Sequence, residues 1–429
     1  MSSQLATPRL NPEGLLDERA MAPISWRTPI ILGVVSIIGL LAFVIFTPPG
    51  SISRIVVSNS ATAIQIDPLH LPSQGSALFL VVVAFGLTGL AFWATLNRRR
   101  LGAIPIVFGI VMLFAFLIWA VAGNTGGLPL PLLLSTTITA AVPLVFGALA
   151  GVLCERSGII NIAIEGQLLA GAFLAVVVSS ATRNPYIGLI AAPIAGALVG
   201  LLLAVFSIKY RVDQIIVGVV LNVLVLGLTN YLFSTVLTQN PQGLNNPPRM
   251  PAFAIPGLSE IPVIGPALFN QTVIVYVMYV VVAVLQIMLF RSRWGLRVRA
   301  VGEHPKAADT VGIKVNRTRY RNVVLGSAIA GFGGAAFVSA ALPFTKEVSA
   351  GRGYIALAAM ILGRWSPTGA LAAALLFGFA DSLNRVLGNI GSPVPYELLA
   401  MLPYLATIFA VAGLVGRIRP PAAEGKPYP

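Results

Sequence analysis

Histidine and cysteine are almost missing from this chain: His70, His304 and Cys154 are the only three in 429 residues. A single cysteine excludes an intramolecular disulfide and a paired-cysteine metal site. Two histidines so far apart leave no histidine-based metal centre, so no metal ligands are expected. Charge is sparse too, at 10% of residues against 57% hydrophobic. A soluble globular chain carries about 25% charged residues, so the composition indicates a polytopic membrane protein. The formal charge of +14 then reads as basic loops meeting anionic membrane lipid, not as nucleic-acid binding, which this apolar content argues against. No histidine, cysteine or paired-carboxylate cluster gathers at one depth, so a membrane enzyme is disfavoured and no catalytic residues are expected.

What is present is a succession of apolar runs. A membrane helix needs about 20 such residues to cross the hydrocarbon layer. The runs are Pro29–Phe46, Ala77–Leu96, Ile104–Ala122, Leu132–Leu153, Ile159–Ser180, Ile187–Ser207, Gln214–Val236, Thr272–Phe290, Asn322–Leu342, Thr368–Val386 and Leu398–Val415. Tyr354–Leu362 is about half the required length and fits a re-entrant half-helix. The expected fold is therefore an all-α polytopic membrane protein of about 10–11 spans. With the amino terminus in the cytoplasm, alternation puts roughly 22 of the 28 basic residues on the inner side, as the positive-inside bias requires. Both termini are then cytoplasmic. The organisation follows: a cytoplasmic arm (1–28), amino-terminal spans with an external loop at 47–76 (29–131), a core (132–416) with an external loop at 238–270 and a cytoplasmic loop at 291–321, and a cytoplasmic tail (417–429).

The densest basic stretch is Arg291–Arg321, with nine cations against Glu303 and Asp309 alone. Inside it, Gly302-Glu303-His304-Pro305-Lys306-Ala307-Ala308-Asp309-Thr310-Val311-Gly312 reads as a short helix. Pro305 suits the first turn and Gly312 a terminus. Its small residues fit a groove on another protein, or the helix lies on lipid.

A second informative stretch is Cys154–Gln167. Glu155 and Arg156 mark an aqueous face, and Asn161, Glu165 and Gln167 follow at bilayer depth. Asn161 and Glu165, four apart, share a face if the segment is helical. An ionisable group there costs about 2.5–3.5 kcal/mol to insert, so Glu165 either lines a pathway or braces helix packing. Ser349–Leu357 likewise runs from small residues into an apolar helix, from the opposite side. That is the pattern of inverted repeats whose broken helices aim their positive ends at a central pathway. Asn222, Asn230, Asp381 and Asn384 add polar groups at depth. Tyr354, Phe173, Tyr231 and Trp365 are aromatic groups able to stack on a base, although aromatics in spans usually serve packing. Asn161, Glu165, Gln167, Asn222 and Tyr354 are the candidates for a substrate pathway. Gly326, Ala330, Gly331, Gly333, Gly334 and Ala335 favour close helix packing.

Three blocks carry a resemblance: ERSGIINIAIEGQLLAG (155–171), GLRVRAVGEHPKAADTVG (295–312) and SAGRGYIALAAMILGRWSPTG (349–369). With Met401-Leu402-Pro403-Tyr404 and Pro420, they make the chain resemble permease subunits of bacterial ATP-binding-cassette importers from about Leu132 onward. Within the ribose, branched-chain amino-acid and nucleoside group, the nucleoside and simple-sugar permeases are nearest. The resemblance implies a bacterial inner-membrane permease subunit pairing with a second permease, ATPase subunits and a soluble or lipid-anchored external receptor. It implies ATPase coupling through Gly302, Glu303, Pro305, Ala307, Ala308 and Gly312. The chain has no GxxxxGK(S/T) phosphate loop, so ATP would be used by the partner and no cofactor bound directly. An ion-coupled secondary transporter, with Glu165 or Asp381 as coupling carboxylate, is the competing reading. Among substrates, nucleosides, pentoses and branched-chain amino acids all remain open.

Overall fold

The computed structural model describes residues 25–58, 64–392, 394, 397–398, 400–401 and 419–428. Most of the expected amino-terminal arm and of the expected span Leu398–Val415 lies outside these residues. Contacts divide the chain into two compact units.

The first unit comprises Met1–Val57, Asp67–Pro129 and Leu387–Pro395. It holds α1 (Arg27–Leu40, continued by a π-helical turn to Ile45), α2 (Ser73–Leu96) and α3 (Ile104–Ala120). Ala77, Val81, Ala84, Thr88 and Ala91 form the buried stripe of α2. Their alternating spacing of four and three residues keeps small side chains on one face, so neighbouring helices approach closely. Ser36 and Thr88 hydrogen-bond across α1 and α2 at 3.1 Å. Strands β1 (Ile52–Val56), β2 (Leu69–Pro72) and β3 (Leu128–Pro129) form a small sheet in the order β2-β1-β3, antiparallel then parallel.

The second unit comprises Ser58–Ile66, Leu130–Val386 and Tyr396–Pro429. Its centre is α4 (Leu130–Arg156), 89% of whose most apolar window is buried, against 33% for α7 (Gln214–Leu232, π-extended to Leu237). Around it lie α5 (Ile164–Thr182), α6 (Pro185–Ala204, π-extended to Lys209), α10 (Val273–Arg291), α13 (Val315–Gly334), α15 (Arg352–Leu362) and α16 (Pro367–Asn389). The region 238–270 is turn-rich as its prolines predict. It carries α8 (Pro241–Leu244), α9 (Ile264–Leu268) and a two-stranded antiparallel pairing of β4 (Ala252–Ala254) with β5 (Asn270–Thr272). Among the described residues nine helices are long and apolar enough to cross a membrane, with Ile104–Ala120 and Arg352–Leu362 shorter.

The glycine-rich face of α13 explains the tightest packing. A Cβ at Gly171 of α5 would stand 2.1 Å from the Gly331 carbonyl oxygen, and one at Gly196 of α6 would stand 2.2 Å from that of Ser327. Only glycine permits backbones this close, so three helices pack on one face with little side-chain intervention.

The basic stretch is largely helical. It contains α11 (Arg293–Glu303) and α12 (Pro305–Thr310), and α13 begins at Val315, seven residues before the expected span. Val315, Arg319 and Asn322, at helical spacing, are the buried face of the first two turns of α13 ahead of its hydrophobic section. A single turn, α14 (Ala336–Ser339), follows α13.

Candidate functional site

The expected helix from Ile159 begins only at Ile164. Residues 157–163 are unwound, because a neighbouring helix supplies the hydrogen bonds their backbone needs. Gln214 Oε1 accepts from Ile160 N at 2.7 Å, and Asn222 Nδ2 donates to the Ile162 carbonyl at 2.9 Å, both from α7. Non-helical backbone inside a bundle survives only when satisfied in this way. Asn161 therefore lies outside α5 and does not share a helix face with Glu165. It is fully buried and pairs with Gln167 through two hydrogen bonds of 3.1 and 3.0 Å.

The start of α5 has no side-chain cap of its own. Asn222 provides one from α7: its Oδ1 accepts from Gly166 N at 2.8 Å, and its Nδ2 also reaches the Tyr354 hydroxyl at 3.3 Å. The start of α15 is capped in turn by Glu165. The Glu165 carboxylate accepts from Ser349 Oγ (2.6 Å), Gly351 N (2.8 Å) and Gly353 N (2.6 Å). Negative charge at a helix amino terminus complements the macrodipole, by up to about 2 kcal/mol in partly buried geometry. Gly351, at φ +78°, makes the left-handed turn that presents these amides.

All five pathway candidates thus meet at two facing helix starts. Arg156 Nε donates to the Trp365 carbonyl at 2.9 Å, just beyond the other end of α15. Eleven residues at 1.5 Å rise make α15 about 16 Å long, about half the hydrocarbon thickness.

Glu155, read from sequence as marking an aqueous face, is buried and accepts from Trp365 Nε1 at 2.5 Å. The Arg352 guanidinium lies 3.7 Å from Asp381, which also takes a 2.6 Å bond from Arg385. The Arg352–Asp381 pair lines a cavity of about 230 Å³ with Asn384, Leu144 and Phe377. Asp381, held between two guanidiniums, is engaged rather than free to bind an ion.

In the 291–321 loop, His304 caps α12, its Nδ1 accepting from Ala307 N at 3.3 Å. Pro305 opens α12, and Gly312 follows its end at φ +84°. Gly302 and Glu303 belong to the end of α11, where a Cβ on Gly302 would stand 2.2 Å from the Arg156 carbonyl oxygen. The two alanines named for ATPase coupling lie on different sides of α12. Ala307 is exposed, but Ala308 turns inward against Val301 and Val315. Consecutive helix residues point about 100° apart, so one face cannot hold both.

Sequence reasoning missed several participants. Gln214, Ser349 and Gly353 are ordinary residues until the chain brings them to the helix starts. Arg319 reads as one more loop cation yet is 1% exposed.

Residues 133–412 match the family described as branched-chain amino acid transport system / permease component. The chain belongs to that family. The permease is 39% identical over 310 residues to the guanosine ABC transporter permease protein NupQ of Bacillus subtilis (strain 168), covering 70% of this chain and 97% of the relative. It is 37% identical over 309 residues to the nucleoside ABC transporter permease protein NupC of Lactococcus lactis subsp. cremoris (strain MG1363), with the same coverage. A glucose ABC transporter permease protein, TsgB13 of Haloferax volcanii, is 27% identical over 370 residues, covering 81% of this chain and 90% of the relative. No solved structure matches. As an ABC-transporter permease component, the permease is a multi-pass membrane protein, works with ATPase and substrate-binding partners, and is not itself an enzyme. The family match begins at residue 133, after α1–α3.

Proposed function

We propose that this permease moves nucleosides inward across the bacterial plasma membrane, driven by ATP that partner ATPase subunits hydrolyse. The observation that carries the substrate class is the likeness to guanosine and nucleoside permeases at 37–39% identity over 97% of each. In this reading a second homologous permease completes the pathway, and an extracytoplasmic lipoprotein delivers substrate. Both termini face the cytoplasm, which puts α12 on the ATPase side. Glu303, Pro305 and the exposed Ala307 of the loop meet the ATPase, with Gly302 and Gly312 setting the loop's shape and Ala308 anchoring α12 from beneath.

The facing starts of α5 and α15 suit the gate of such a pathway. Glu165, Asn222 and Tyr354 tie the two starts together while the Asn161–Gln167 pair holds the unwound stretch to α5, and closure of the ATPase pair shifts this arrangement between outward- and inward-open populations. The three hydrogen bonds on Glu165 and the two guanidiniums beside Asp381 favour this over an ion-coupled secondary transporter.

Sugar import is the second reading, favoured by the glucose permease relative. Competition separates the two. Unlabelled nucleosides should suppress uptake of a labelled nucleoside by cells expressing the complete transporter, whereas glucose, ribose and leucine should not. Suppression by a sugar alone would establish the second reading.

A further inference from the structure

The 419–428 segment is in intimate contact with the cytoplasmic loop. Ala423 N donates to the Gly302 carbonyl at 2.9 Å, and Ala422 N to Glu303 Oε2 at 3.3 Å. Gly425 N donates to the Gly158 carbonyl at 3.2 Å, the second residue of the unwound stretch before α5. Buried Arg319 of α13 donates from Nη1 to the Lys426 carbonyl at 3.0 Å. Tyr428 packs on the cluster of Val301, Ala308 and Val315 and lies beside Asp309 of α12. Ala423 is 4% exposed, the burial of a core residue.

These contacts brace elements that also touch directly, since a Cβ on Gly302 of α11 would stand 2.2 Å from the Arg156 carbonyl oxygen and 3.5 Å from Gly158 N. On one side stand α11 and α12, which carry the surface assigned to the ATPase. On the other stands Gly158, whose stretch leads through Asn161 to the Glu165 hub. The fit at Gly158 is close: a Cβ there would stand 2.8 Å from Arg319 Nη2 and 3.2 Å from the Ala423 carbonyl oxygen. A displacement of α12 therefore has a hydrogen-bonded route to the start of α5 that passes through the 419–428 segment.

We propose that residues 421–428, held by Arg319, are a positioning element of the transport cycle: a strap that stays docked and carries movement of α12 to the 158–163 stretch. This rests on the ATP-driven reading above, and assigns the segment a role between the two sites rather than in either. The strap differs from a docking surface in what its loss does. Without it the ATPase still binds and turns over, but the turnover no longer reaches the pathway.

The test uses the complete transporter, with its ATPase and receptor, in proteoliposomes. Deleting 421–428 should leave the ATPase bound and its basal hydrolysis in place, while uptake and substrate-stimulated hydrolysis fall by about tenfold or more, the scale of a typical inter-site coupling. Arg319→Ala should act in the same direction, and Arg319→Lys should recover part of the loss. Unchanged uptake in the deletion variant overturns the proposal, as does loss of the bound ATPase, which would make the segment an assembly surface. Should the deletion variant fail to insert, a cysteine pair replacing Tyr428 and Val315, which share one apolar cluster outside the surface assigned to the ATPase, decides instead, native Cys154 being buried. Oxidised, that pair should transport as the reduced form does. Uptake lost on oxidation and restored by reductant would mean the segment must leave, and the strap is wrong. Wild-type uptake that needs no ATP would instead defeat the underlying reading.

Discussion

Glu165 and Gly353 are hydrogen-bonded at 2.6 Å, the first-turn carboxylate of one broken helix capping the first amides of another. Each helix start lacks a cap of its own, so neither is complete alone. The bundle makes them interdependent, and that interdependence concentrates the polar groups of the permease at one depth.

Glu165→Ala removes the acceptor for three donors, two of them backbone amides of a half-helix. Each charge-assisted bond contributes about 1.5–3 kcal/mol, and the contributions overlap. The variant in detergent should unfold at a lower temperature than wild type by several degrees, with Glu165→Gln between them. A melting temperature unchanged in Glu165→Ala would remove the capping role.

Gly353→Ala tests the same junction by volume. The added Cβ would stand 2.4 Å from Glu165 N, a backbone atom with no room to give. Overpacking of this kind costs about 1–3 kcal/mol. Nucleoside uptake should fall while the neighbouring exposed Tyr354→Phe, which loses only a 3.3 Å bond, stays close to wild type.

Ala307 and Ala308 should part company under the same substitution. Ala307→Glu places a charge on the exposed side of α12 and should abolish ATPase coupling with the permease still stable. Ala308→Glu drives the charge into the contact with Val301 and Val315, a buried unpaired ion that destabilises by several kcal/mol. Thermal unfolding and ATPase pull-down distinguish them: only the second should lower the melting temperature.

Glu424 makes the strap pH-dependent. Burial lifts its carboxyl above the ordinary carboxylate range, with the Glu155 carboxyl of α4 beside it. Glu303 and Arg319 hydrogen-bond the segment, and Asp309 lies beside its Tyr428. A carboxyl raised on docking binds its proton more tightly docked than free, so docking is strongest below the free value of about 4.3 and weakens as pH rises through the docked value. Amide exchange of 421–426, corrected for the intrinsic rate, should show protection declining with pH. Glu424→Gln should flatten that decline.

Most of the architecture was legible because hydrophobic length is a strong signal. Ten of the eleven expected spans overlap described helices, and the half-length α15 stood out as too short. The unwound 157–163 stretch was hidden by its own composition: Ile159, Ile160 and Ile162 extend an apolar window whose backbone is satisfied by Gln214 and Asn222 from α7. That is a tertiary fact, invisible to local pattern. Buried Glu155 and Arg319 escaped for a related reason, since charge beside a span reads as solvated until a partner covers it. The Gly302–Gly312 region was readable because Pro305 and Gly312 mark their positions by backbone chemistry. The inward turn of Ala308 was not, because both alanines suit either face.

ATP-driven nucleoside uptake by the complete transporter in proteoliposomes tests the account most directly. Labelled nucleoside should accumulate only with ATP on the ATPase side, and an uncoupler should leave that accumulation intact. Accumulation that proceeds without ATP and collapses with the uncoupler would contradict the account and make the permease an ion-coupled carrier.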